Sequence, residues 1–240
     1  QTEAIVRQQE EGGVRMSTKR KLIVYEDAKS PIAEAYRTLR TNINFAKMGG
    51  ELRSILFTSA GPREGKSTTV ANTAVALAQT GKRIIVVDCD LRKPVQHKIF
   101  GKKNRGITNY LVEDMPVDGL IQETGIENLL LMPSGPIPPN PSELLGSPRM
   151  QELIAYLQSR ADMVIIDAPP VIAVTDACVL ASKVDGVILT IASGLVRPEM
   201  AKHAKELLIK ANGHILGVIL NRMEIEEEYA YYYYYYGSER

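Results

Sequence analysis

The sequence predicts an α/β fold: a mainly parallel β-sheet flanked by helices on both faces. Short runs dominated by Ile, Val and Leu recur along the chain. Segments with helical spacing of apolar residues separate them. The strand-like runs lack the alternation of polar residues that marks a sheet with one wet face, so each is expected to be covered on both sides.

Taken in order, residues 1–15 are polar, carry Gly12-Gly13 and hold no lasting period; they read as a flexible lead-in. Met16-Ser17-Thr18-Lys19 reads as a natural start, so the lead-in is expected to be a tag or a piece of another protein joined on. Ser30 is a good N-cap and Pro31 suits a first helical turn. Ile32, Ala35, Tyr36, Leu39, Ile43 and Ala46 then keep a helical period until Gly49-Gly50. Residues 54–58 form a buried strand, a glycine-containing loop follows, and a helix spans 66–79 up to Gly81. Further strands are expected at 83–88, 129–132, 163–167, 187–191 and 215–220, with helices at 148–157, 176–182 and 197–211. Residues 133–141 form a proline-rich, stiff loop. Residues 16–223 thus make one domain, and residues 224–240, acidic and then tyrosine-rich, a mobile tail.

Composition narrows the function classes. A chain of 240 residues is long enough for one well-buried α/β domain, and its 45% apolar and 24% charged residues are ordinary for a globular protein. A net charge of +1 gives no general electrostatic case for nucleic acid. No apolar run approaches the roughly 18 residues that cross a bilayer, and the N-terminus lacks the layout of a secretory signal. Two cysteines, Cys89 and Cys178, sit in no metal-like spacing and are expected to be small core residues in a reducing cytoplasm. His97, His203 and His214 form no cluster in the sequence.

The chemistry concentrates after the first strand. The segment Ala60-Gly61-Pro62-Arg63-Glu64-Gly65-Lys66-Ser67, with Thr68 next, follows a strand and opens a helix, the setting of a P-loop. Backbone N–H groups there face phosphates, and the helix dipole favours their charge. Gly65 permits close approach, Lys66 reaches the β- and γ-phosphates, and the Ser67 hydroxyl reaches Mg²⁺. Ala60 stands where the usual pattern has its first glycine. Two other strands end in acids: Asp88 and Asp90 after one, Asp167 after the other. In a parallel sheet such ends converge on the ligand crevice. Asp90 and Asp167 are therefore expected to organise Mg²⁺, and Asp88 to take the proton of an attacking hydroxyl. Arg92 is expected either to add charge near the transferred group or to pair with an acid.

At this point the chain closely resembles the bacterial tyrosine kinases encoded with capsule and exopolysaccharide genes, P-loop NTPases related to the MinD/ParA group. The P-loop is one match. Residues 86–94 resemble the family's second Walker motif, residues 165–170 its Walker B and residues 134–141 its proline loop; Tyr229, Tyr231, Tyr232, Tyr233, Tyr234, Tyr235 and Tyr236 resemble its tyrosine cluster. The likeness runs from about residue 28 to the end, with Arg63 where members often carry glycine. It implies an ATP- and Mg²⁺-dependent kinase that autophosphorylates that cluster in trans and regulates polysaccharide synthesis and export. It implies a homo-oligomeric ring, an octamer, joined through Glu34, Arg37 and Arg40. It implies a transmembrane activator or polysaccharide co-polymerase, of which residues 1–15 are a fused piece, together with a tyrosine phosphatase and other protein substrates. It implies an enzyme of the cytoplasm recruited to the inner face of the membrane, and adenine contacts near Asn221.

Two other readings compete. A MinD/ParA-type positioning ATPase shares the P-loop and strand-end aspartates, but usually has lysine where this chain has Gly61 and often ends in a membrane helix. An ATP-regulated scaffold for polysaccharide export would need no phosphotransfer at all.

Overall fold

The computed structural model describes residues 22–46 and 52–223. The lead-in, the Gly49-Gly50 stop, and the tail with Tyr229 and residues 231–236 lie outside the described residues.

A seven-stranded sheet is ordered β3-β4-β2-β5-β1-β6-β7. Its strands are β1 (Ser54–Ser59), β2 (Ile84–Asp88), β3 (Gln122–Glu123), β4 (Leu129–Met132), β5 (Met163–Asp167), β6 (Gly186–Ala192) and β7 (Ile215–Asn221). All neighbours pair in parallel except β3, which runs antiparallel to β4. The helices are α1 (Ile23–Glu26), α2 (Pro31–Phe45), α3 (Lys66–Ala78), α4 (Gln96–Ile99), α5 (Ile107–Glu113), α6 (Pro141–Gly146), α7 (Pro148–Arg160), α8 (Asp176–Ala181) and α9 (Pro198–Lys210). Among the described residues no helix is long and apolar enough to cross a membrane.

Side chains of the central strands divide by parity, as the twofold period of a strand requires. Leu56, Ile85, Val87, Val164 and Ile166 enter the core shared with α7, α8 and α9. Ile55, Phe57, Ile84, Val86, Met163 and Ile165 enter the opposite core, under α1, α2 and α3. Strands with both faces covered must be apolar throughout, which is why they read as unbroken runs. Each such side chain contributes about 1.5–3 kcal/mol on burial. The edge strand β7 departs from this: Val218 and Leu220 are exposed.

The helix starts follow local rules. The Ser30 hydroxyl accepts from the Ala33 N–H at 3.2 Å with Pro31 in the first turn, and Ser147 does the same for Met150 at 3.2 Å ahead of Pro148. The proline-rich loop is held by α5: the Ile107 and Thr108 N–H groups donate to the carbonyls of Pro133 and Ser134 at 2.9 and 2.8 Å. It ends earlier than the sequence suggested, because Pro141 already opens α6. Cys89 is buried as expected, whereas Cys178 is only half-buried, against α9.

Candidate active site

The C-terminal ends of β1, β2 and β5 lie side by side, since β5 pairs with both others and Asp88 is in register with Asp167. The loop after β1 leads into α3 beside them, so Lys66 and both strand-end acids meet at one edge. Lys66 is buried, forms an ion pair with Asp167 and has Asp90 Oδ2 at 3.9 Å and Ser67 Oγ at 3.3 Å. A cleft of about 610 Å³ opens in front of this group, with Lys66, Ser67, Thr68 and Asp90 in its wall.

The loop holds its shape through neighbours on the sheet. Gly65 caps α3 at φ +85°, and a Cβ there would stand 2.1 Å from Asn221 Nδ2. Glycine is therefore required twice, by the left-handed backbone and by the packed amide. Asn221 Nδ2 donates to the Glu64 carbonyl at 2.8 Å, and Arg222 Nη2 to the Arg63 carbonyl at 2.8 Å. The buried Glu64 carboxylate accepts from the Gly61 N–H and, at 3.0 Å, from the Ala192 N–H of β6. Burial pushes Glu64 above the usual carboxylate range, and these backbone donors oppose the shift. Gly61, Pro62 and Arg63 line the cleft with the rest of the loop.

The two aspartates after β2 differ in access. Asp88 is fully buried; its Oδ2 accepts from the Val95 and Gln96 N–H groups at 3.0 and 2.9 Å. Its Oδ1 meets the Asp90 N–H at 3.3 Å. Burial, reinforced by the Asp167 carboxylate, pushes Asp88 up to about 8. Asp90 reaches the cleft, and burial raises it too, against the pull of Lys66. Of the two roles open to Arg92, the structure shows the ion pair. Its Nε and Nη2 hold Asp176 at 2.9 and 3.0 Å, and Nη2 also reaches Ser142 Oγ at 3.1 Å.

Glu34, Arg37 and Arg40 lie on α2, which packs against α3. Arg37 pairs with Glu34 at 2.7 Å, and Arg40 donates to the Ala76 carbonyl of α3 at 3.2 Å. Gln96 is a site residue that no sequence signal marks: it bonds Asp167 and the Ser67 carbonyl from a four-residue helix too short to show a period.

The residues fit a phosphate-bound magnesium ion. Two acidic side chains, Asp90 and Asp167, face one lysine ammonium, so the place is rich in oxygen acceptors and short of cations. Among the described residues no three or more His, Cys, Asp or Glu side chains form a ready metal cage. Mg²⁺ asks for less: one or two carboxylates, with water and phosphate oxygens completing its shell.

Residues 61–199 match the family described as an AAA domain. The chain is 43% identical to the tyrosine-protein kinase YwqD of Bacillus subtilis, over 91% of this chain and 93% of that protein. The crystal structure of the chimerical protein CapA2B2 is similar with a TM-score of 0.82 at 43% identity, covering 85% of this chain and 90% of that one. A more distant likeness is to the septum site-determining protein MinD complexed with Mg-ADP from Pyrococcus horikoshii, with a TM-score of 0.61 at 26% identity over 75% and 76% of the two chains.

Proposed function

Because this chain belongs to the family of bacterial tyrosine-protein kinases, we propose that it transfers the γ-phosphoryl group of ATP to tyrosine, its own C-terminal cluster included. The observation that carries the reading is the convergence of Lys66, Asp90 and Asp167 beside the P-loop cleft in a chain whose sequence carries Tyr229 and the tyrosines at 231–236.

Ser67, Asp90 and Asp167 would hold Mg²⁺, which supplies charge neutralisation on the phosphates. Lys66 and the loop N–H groups bind the phosphate oxygens. The tyrosine oxygen forms a bond to the γ-phosphorus as the bond to the bridging oxygen breaks, and ADP leaves. The tyrosine proton, from a hydroxyl of ordinary pKa about 10, goes to Asp88. Asp88, pushed up to about 8 in the metal-free site, must first give up its own proton, and a cation bound beside it would favour the carboxylate that accepts. Asp88 is fully buried and does not line the cleft, so this transfer requires residues 89–95 to open first. Arg63, Lys93 and Arg222 rim the cleft, and the acidic Glu226-Glu227-Glu228 before Tyr229 complements that charge.

The tail is delivered by a neighbour in a homo-oligomeric ring, an octamer, through the α2 face that carries Glu34, Arg37 and Arg40. Exposed Ile32 and Phe45 on the same helix support an interface there. Asn221, already against the P-loop, contacts adenine. Residues 1–15 act as a fused activator segment, standing for a transmembrane partner that recruits the kinase to the inner membrane face. A tyrosine phosphatase reverses the modification, other proteins are also phosphorylated, and the cycle regulates capsule and exopolysaccharide synthesis and export. Each phosphate adds about −1.5 to −2 charges, so a phosphorylated tail leaves the clefts and loosens the ring. Equal ring stability before and after phosphorylation would remove that last step.

The test is incubation of the purified chain with ATP and Mg²⁺, read by phosphopeptide mass spectrometry, beside Lys66→Met and Asp88→Asn. Phosphate on the tail in the parent and in neither variant is expected. ATP hydrolysis with unmodified tyrosines would instead favour a positioning ATPase of the MinD type.

A further inference from the structure

Gln96 opens α4 and is fully buried. Its Nε2 donates to Asp167 Oδ2 at 2.6 Å and to the Ser67 carbonyl at 3.0 Å. Both partners only accept, so the NH₂ end of the amide must face them. Its backbone N–H donates to Asp88 Oδ2. One residue therefore touches the last residue of β2, the last residue of β5 and the first turn of α3. The other end of the amide, Oε1, is buried without a partner. A buried, unpaired acceptor costs roughly 1–3 kcal/mol. A methionine or leucine would fill the same space at no such cost, so packing does not account for the amide.

Its donors do. Asp167 has two oxygens: Oδ1 faces Lys66, and Oδ2 is held from the protein side by Gln96 alone among the described side chains. Without that donor only the Lys66 ammonium, a flexible point charge, limits rotation of the carboxylate about its bond to Cβ. Ser67 and Asp167 come from separate elements, and a cation shared between them needs their separation fixed. A single nitrogen bonded to both does this directly.

We propose that Gln96 is a positioning residue for the cation–phosphate site, orienting Asp167 and locking it to the turn that carries Ser67. The proposal rests on the assignment of Ser67 and Asp167 to the cation. Groups that orient metal ligands from behind alter metal affinity by about 10–100-fold when removed, and that is the effect expected here.

The experiment is fluorescence titration of the full chain with N-methylanthraniloyl-ADP over a range of Mg²⁺ concentrations, with thermal melting of the nucleotide-free protein in parallel. Gln96→Met keeps length and volume and removes the donor. Gln96→Asn keeps the amide and withdraws it by one methylene. In both, the Mg²⁺ concentration for half-maximal binding is expected to rise about 10–100-fold, with Mg²⁺-free nucleotide affinity changed less than about twofold. A wild-type Mg²⁺ response in either folded variant overturns the proposal. So does failure of both to fold, which would make Gln96 a structural residue only. Asp167→Asn is the control: a wild-type Mg²⁺ response there overturns the underlying assignment of the cation ligands instead.

Discussion

Replacing Arg92 by alanine separates its structural role from a catalytic one. Its partner Asp176 has a fully buried side chain in the first turn of α8, while the Arg92 side chain is 38% exposed. The pair is bidentate, with Ser142 as the remaining neighbour of the carboxylate. Breaking a buried pair by removing one partner costs about 3–5 kcal/mol. Because Arg92 is more than a third exposed, water enters to solvate part of the stranded charge, and about 2 kcal/mol is a better figure for this site. In a domain of this size 1 kcal/mol moves Tm by roughly 2–4 °C, so Arg92→Ala is expected to melt about 4–8 °C lower by calorimetry. Asp176→Asn in the same background should recover part of the loss, because no charge is then left behind. An unchanged Tm with phosphotransfer abolished would refute the argument, since the guanidinium would then be serving the transferred group.

Gly65→Ala places a Cβ at 2.1 Å from Asn221 Nδ2 in a left-handed backbone; nucleotide affinity by calorimetry should fall at least about tenfold given the strain of roughly 1–3 kcal/mol, and Asn221→Ala should partly rescue it. Asp88 has a folded pKa raised from 3.8 to about 8, so the native state holds the extra proton. Its stabilising effect is complete below about pH 4 and is lost as pH rises through about 8. Urea unfolding of the Mg²⁺-free protein should therefore show lower stability at high pH than at neutral pH, and Asp88→Asn should flatten that fall. Gly106→Ala drives a Cβ to 1.7 Å from the Pro133 carbonyl oxygen; the hydrogen bonds joining α5 to the proline loop should break, with a Tm loss of at least several degrees.

The P-loop NTPase fold was legible because its grammar is local. Unbroken apolar runs, a glycine-bearing loop and a helix signal need only neighbours in sequence, and each recovered strand falls within a residue or so of its expected bounds. The losses have a common cause. β3 has two residues and owes its existence to pairing with β4, so no period exists to detect. The six-residue α6 begins inside a loop whose prolines hide its start.

The site divides along the same line. Lys66, Asp90 and Asp167 follow from strand ends converging in a parallel sheet. Arg92 does not, because its partner Asp176 is 84 positions further along the chain. Asn221 was placed near adenine by resemblance, and its amide is found bracing the carbonyl of Glu64. The two placements are compatible only if the end of β7 does two jobs: supporting the P-loop from behind and meeting the base in front. Arg222 ties the residue after β7 to the same loop, because its guanidinium bonds the Arg63 carbonyl.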